Sequence, residues 1–158
     1  MEPTVMTFYY DHLDTPLGLM RIKATASAVK SIHFVNSVDL QDGNLITALT
    51  KQQLLAYFDG NRTSFDLPLD AEGTAFQQTV WRALSTIAHG ATCTYSDIAK
   101  QIGNSKGMRA VGLANSKNPI TIVVPCHRVI GANGSLTGYA SGTDKKAWLL
   151  NHERDTLF

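Results

Sequence analysis

Residues 125–129 read Pro125-Cys126-His127-Arg128-Val129, and they hold one of only two cysteines in a chain of 158 residues. A thiol beside an imidazole is a candidate nucleophile. The thiolate attacks carbon and the thiol scarcely does, yet a free cysteine is only a few per cent ionised at neutral pH, so some group must take its proton. His127 is the adjacent base. In a strand successive side chains point to opposite faces, so a bridging water is the more natural link between the two unless the backbone turns there. The same residues also suit a buried structural cysteine next to a surface histidine. A catalytic base needs an orienting partner. Glu153, in Leu150-Asn151-His152-Glu153-Arg154, is the candidate, with an exposed carboxylate at a helix end as the alternative.

The elements that must position these groups follow from pattern. The run Ile120-Thr121-Ile122-Val123-Val124 predicts a strand that delivers Cys126, and Asn118-Pro119 predicts a bend before it. Upstream, Ser96 is placed to cap a short helix over 97–102 that stops at Gly103, and a second helix follows over 106–115. Two short helices joined through a glycine-containing turn predict a helix-turn-helix. Gly107, Ala110 and Ala114 fall on one nearly bare face of the second helix, either a packing seam or a surface that can press close to a nucleic-acid backbone. Arg109 stands at the start of that helix, and Tyr95, with an O–H to offer, just before the first. Thr74 is placed to cap a helix over 75–88, residues 129–142 read as a loop, and Thr143 or Asp144 is placed to cap a final helix.

The first third predicts an antiparallel meander: strands at 6–12, 19–25 and 29–35, the second with Met20, Ile22 and Ala24 on one face. A helix follows over 45–58 with Gly60 as its stop, then a short strand over 64–67 and a linker over 67–73. These patterns divide the chain into an α/β domain at 1–70 and a mainly helical domain at 71–158. Charge divides it too: five Lys/Arg against eight Asp/Glu in the first part, nine against five in the second. The second part is therefore the one suited to a polyanion.

Composition is that of a globular protein, 44% hydrophobic and 17% charged. No apolar run approaches a membrane span, and Glu2 without a basic stretch argues against a leader. Two cysteines make neither a disulfide framework nor a Cys-rich zinc site, and they favour a reducing compartment. The reading is a cytoplasmic protein (nucleoid-associated, if bacterial) with no membrane contact, no metal and no cofactor.

Taken together, Thr94-Tyr95-Ser96, Arg109-Ala110-Val111-Gly112-Leu113-Ala114-Asn115, Asn118-Pro119, Pro125-Cys126-His127-Arg128-Val129-Ile130, Gly138-Tyr139 and Trp148-Leu149-Leu150 with His152-Glu153 resemble the O6-alkylguanine-DNA alkyltransferase family, in order and spacing across roughly residues 74–154. The resemblance implies an α+β fold: a small antiparallel sheet with a helix in a ribonuclease-H-like layout, then a winged-helix or helix-turn-helix domain. It implies direct-reversal DNA repair, with a monomer flipping an alkylated guanine (an alkylated thymine as a second lesion) out of double-stranded DNA and moving the alkyl group irreversibly to Cys126. In that picture His127 takes the thiol proton through water, Glu153 orients His127, Asn118 holds the turn, and Tyr95 donates to the departing base. Arg109 enters the duplex, while Gly107, Ala110, Ala114 and Arg128 meet the DNA. Tyr95, Val129, Tyr139 and Ala140 wall the base pocket, and Ala140 replaces a serine found in some members.

Two rivals stand beside it. A helix-turn-helix module that recognises alkylated DNA without repairing it would replace the reactive cysteine, which is present here. A cysteine hydrolase usually draws its histidine from far along the sequence.

Overall fold

A computed structural model describes residues 6–156; Glu2 and the rest of the stretch read against a leader lie outside the described residues. The chain is mixed α/β and forms two compact units, Met1–Glu72 and Gly73–Phe158.

In the first unit β1 (Tyr9–Thr15), β2 (Gly18–Ala24) and β3 (Val29–Phe34) make an antiparallel meander in the order β1-β2-β3. Alternation along β2 puts Met20, Ile22 and Ala24 inward, and all three are fully buried. The α1 helix (Leu45–Phe58) packs on this sheet, opened by an Asn44–Thr47 capping box. Two strand expectations need correction. The first strand begins at Tyr9, not Met6. Residues 64–67 form no strand, because the backbone of Asp66 bonds at both N–H and C=O to the Gln53 side chain. The chain then makes a single bridge at Leu69.

The second unit holds α2 (Ala75–Leu84), a two-residue β4 (Cys93–Thr94), α3 (Tyr95–Gln101), α4 (Met108–Ser116), a two-residue β5 (Val129–Ile130) parallel to β4, and α5 (Thr143–Asp155). Thr74 caps α2 as its spacing to Gln77 requires. The helix stops at Leu84 and not Ala88, because the Ser85 and Thr86 hydroxyls take the Trp81 and Ala83 carbonyls. The cap of α3 is Thr94 and not Ser96: Thr94 and Asp97 exchange side-chain and backbone bonds in a capping box two residues earlier. Gly103, at φ 79°, turns the chain toward α4, and neither Thr143 nor Asp144 caps α5, which starts after Gly142 at φ 109°. Trp81 Nε1 donates to the Ala114 carbonyl at 2.9 Å and seats α4 on α2. No helix among the described residues is long and apolar enough to cross a membrane.

Candidate active site

The segment that delivers Cys126 is not the expected strand. Asn118 captures its backbone: Nδ2 donates to the carbonyls of Val124 (2.8 Å) and Ile120 (3.4 Å), and Oδ1 accepts from Ile120 N–H (3.0 Å). The chain coils through two three-residue turns, one between those anchors and one just past the second. Val123 N–H bonds to the Thr121 carbonyl across Ile122, whose φ of 73° is the strained form of such a turn and costs a β-branched residue on the order of 1–3 kcal/mol. Cys126 N–H bonds to the Val124 carbonyl across Pro125, at φ −84° and ψ 63°, the relaxed form that proline's fixed φ suits. Residues Cys126–Arg128 then form one 3-10 turn. Apolar β-branched residues gave the strand expectation by propensity, and a buried asparagine side chain overrode it.

The turn sends His127 and Arg128 onto one carboxylate. His127 Nε2 lies 2.7 Å from Glu153 Oε2, while Arg128 donates through Nε to Oε1 at 2.7 Å and through Nη2 to Oε2 at 2.9 Å. His127 and Glu153 are fully buried, and Glu153 lies in the last turn of α5 as a buried group, not as an exposed carboxylate at a helix end. Burial alone would raise the Glu153 carboxyl, but bonds from His127 and Arg128 outweigh it and hold it well below the carboxylate range. Burial pushes His127 down against the opposing pull of Glu153, so the ring is neutral at neutral pH. A carboxylate at Nε2 puts the ring proton there, leaving Nδ1 as the basic nitrogen; it has no protein partner among the described residues. The Cys126 thiol, 7% exposed, is pushed up by burial, while the Asn118 amide, the Lys146 charge and the Cys126 and His127 backbone N–H groups act in the opposite sense. The thiol therefore keeps its proton until a base removes it.

Arg128 requires a correction. It was expected at the DNA surface, but it is 6% exposed, with Nη1 on the Ile87 carbonyl at 2.6 Å and its other donors on Glu153, so it is an internal clamp. Ala114 needs another: it is buried against α2 and is part of the packing seam, whereas Ala110 is exposed and Gly107 is the half-buried N-cap of α4.

Sequence reasoning passed over Lys146. It is fully buried, and its Nζ donates to the carbonyls of Val129 and, at 2.8 Å, Thr137, tying together the ends of the 129–137 loop. The signal was present: Lys146, Leu149 and Glu153 share one face of α5, and all three are buried. Tyr95, the first residue of α3, donates its O–H to the Thr137 carbonyl at 2.8 Å, and burial raises its pKa so that the proton stays. Gly138, at φ 75°, is needed there, since a Cβ would come within 2.6 Å of that hydroxyl.

Beside Tyr95 opens a pocket of about 510 Å³, lined among others by Thr94, Arg109, Gly112, Thr137 and Gly138. Val129, Tyr139 and Ala140, expected as its wall, are not among its lining residues. Val129 is buried in β5, Tyr139 is buried with a hydroxyl that has no protein partner among the described residues, and Ala140 is exposed. Cys126 does not line this pocket either. Among the described residues no group of three or more His, Cys, Asp or Glu side chains is placed to hold a metal ion.

A buried thiol next in sequence to a carboxylate-paired histidine, in one compact unit with the short helices α3 and α4, defines the class: a mainly helical domain built around a single buried cysteine. Residues 75–155 match the family described as 6-O-methylguanine DNA methyltransferase, DNA binding domain. A methylated-DNA–protein-cysteine methyltransferase of Methanosarcina acetivorans is 47% identical over 152 residues, 92% of this chain and 97% of that protein. The constitutive enzyme of that name from Bacillus subtilis is 46% identical over 160 residues, 92% of this chain and 95% of its own length. The Mycobacterium tuberculosis OGT crystal structure in complex with DNA superimposes with a TM-score of 0.88 at 43% identity, covering 94% of each chain. This chain belongs to the 6-O-methylguanine DNA methyltransferase family.

Proposed function

We propose that this protein is a methylated-DNA–protein-cysteine methyltransferase that repairs O6-alkylguanine in double-stranded DNA by taking the alkyl group onto Cys126, once per molecule. Its relatives carry that name, and one of them is crystallised with DNA. The observation that carries the assignment to these residues is the 2.7 Å contact between His127 Nε2 and Glu153 Oε2. It fixes the proton on Nε2 and leaves Nδ1 free to act as the base for the neighbouring thiol, which is otherwise held protonated by burial.

The chemistry balances within the chain and its substrate. His127 Nδ1 takes the thiol proton through a water. The thiolate attacks the alkyl carbon, an S–C bond forms, and the C–O6 bond breaks. Tyr95, whose raised pKa keeps its proton, leaves the Thr137 carbonyl and donates to the departing guanine, so no bare anion is expelled. The proton from sulfur passes through the solvent to restore the tyrosine, and the product is guanine and a thioether. Nothing in the chain supplies a group able to cleave that thioether, which makes the transfer single-turnover. O4-alkylthymine presents the same alkyl–oxygen bond on a ring carbon and is a second lesion open to the same attack.

Reaching the alkyl carbon requires the base to leave the stack, at a cost of a few kcal/mol that is smallest for a damaged pair. Arg109, exposed and among the residues lining the Tyr95 pocket, is the side chain that fills the gap. One protein serves one lesion, so a monomer is sufficient. Replacing Cys126 with Ala is expected to abolish alkyl transfer and leave binding to a lesion-bearing duplex within about threefold; a variant that still transfers at the wild-type rate would remove Cys126 from its role.

A further inference from the structure

The exposed ridge of α4 is not the bare surface that its glycine and alanines suggest. Val111, Ala114 and Asn115 are buried and mark the inward face of the helix. At about 100° per residue the opposite line falls between Arg109 and Leu113, four residues and one turn apart. Leu113 is 62% exposed, on a surface where its neighbours Ala110 and Gly112 offer almost no side chain of their own. Arg109 and Leu113 therefore stand proud as a two-residue ridge.

What surrounds that ridge points to its partner. Lys106, Arg109 and Lys117 are all exposed along this one helix and its ends, and residues 98–143 contain no Asp or Glu at all. An apolar side chain framed by cations, in a stretch of chain without an acid, is complementary to a polyanion with an apolar floor, and deoxyribose walls between phosphates are such a surface.

We propose that Leu113 is an apolar wedge that packs into the minor groove one helical turn from Arg109, holding the duplex open on one side of the flipped nucleotide. This rests on the assignment of duplex repair above. With α4 lying along the groove, one helical turn of about 5.4 Å against a base step of about 3.4 Å brings the two side chains to neighbouring base steps. Minor-groove proteins that deform DNA pair a basic side chain with an inserted apolar one in this way. Leu113 thereby contributes to binding of the duplex and not to the methyl-transfer step.

Because Leu113 is exposed and Ala is the better helix former, Leu113→Ala leaves the fold intact. Transfer rate and equilibrium binding are measured on a short duplex carrying one O6-methylguanine, and transfer also on a dinucleotide with the same base, too short to form a groove. Losing the leucine's outer carbons from a buried contact is expected to weaken duplex binding and duplex repair by about tenfold to thirtyfold, with dinucleotide transfer unchanged within about twofold. Leu113→Met, which restores apolar volume, is expected to recover most of the loss. Equal duplex affinity of Leu113→Ala and wild type, or an equal loss on duplex and dinucleotide, would overturn the wedge. A changed oligomeric state with unchanged duplex binding would overturn it in favour of a protein partner. A wild type that binds the duplex but never alkylates Cys126 would overturn the repair assignment instead, and the binding comparison would still judge Leu113.

Discussion

Glu153→Gln separates what the buried carboxylate does for folding from what it does for chemistry. The substitution keeps the side chain's shape and removes its charge. The bonds from His127 and from two nitrogens of Arg128 depend on that charge. Arg128 is left as a buried cation facing an amide, and breaking a buried ion pair on one side costs about 3–5 kcal/mol. The histidine loses the partner that fixes its proton on Nε2, and a positioned base is worth about 10²–10⁴ in rate. Single-turnover transfer, followed by the mass of the protein at a temperature where circular dichroism shows the variant folded, should therefore slow by two to four powers of ten per folded molecule.

The pH dependence works in the same direction for both groups. Glu153 has its folded pKa depressed below the ordinary 4.5, so its stabilisation is complete above that value and is lost as the pH falls below it. His127 is also depressed, below 6.5, because burial favours the neutral ring; the unfolded chain binds that proton first, so stability falls as the pH drops from 6.5. Wild-type transfer should accordingly stay flat down through pH 6.5 instead of halving there. A folded Glu153→Gln protein that transfers within twofold of wild type would refute the orienting role and leave Glu153 as a structural counter-ion to Arg128.

Two further substitutions test the surrounding frame. Arg128→Ala is expected to lower stability by about 3–5 kcal/mol, read as a denaturant midpoint, while the folded fraction keeps its duplex affinity; a stable variant with weakened DNA binding would return Arg128 to the DNA surface. Lys146→Met strands the Val129 and Thr137 carbonyls and should cost about 1–3 kcal/mol with slower transfer, and an unchanged midpoint would deny that this lysine holds the loop.

The elements governed by local rules were legible in the sequence. The burial of Met20, Ile22 and Ala24 followed from alternation in β2, α1 runs over the residues its periodicity marked, and Thr74 caps α2. Elements governed by one side chain acting at a distance were not. Asn118 folds an apolar β-branched run into successive tight turns, and nothing in Ile120–Val124 announces it. Thr94 and Asp97 form a box that Ser96 obscured. In the site, Cys126, His127, Asn118 and Glu153 were singled out by residue type and resemblance, and the structure brings them together. Arg128 was misplaced because a basic residue in a basic half reads as surface, whereas its partner lies 25 residues on. Lys146 was passed over because a lysine in a helix reads as solvated, although its place on the same face as Leu149 and Glu153 marks it as internal.

The central claim is that Cys126 accepts an alkyl group from DNA. The direct measurement is the intact and peptide mass of the protein after mixing with excess duplex carrying a single O6-methylguanine. One methyl group on the peptide containing Cys126, saturating at one per chain, is the predicted result. A methyl on Cys93, more than one per chain, or no mass change despite tight binding to the lesion would contradict it.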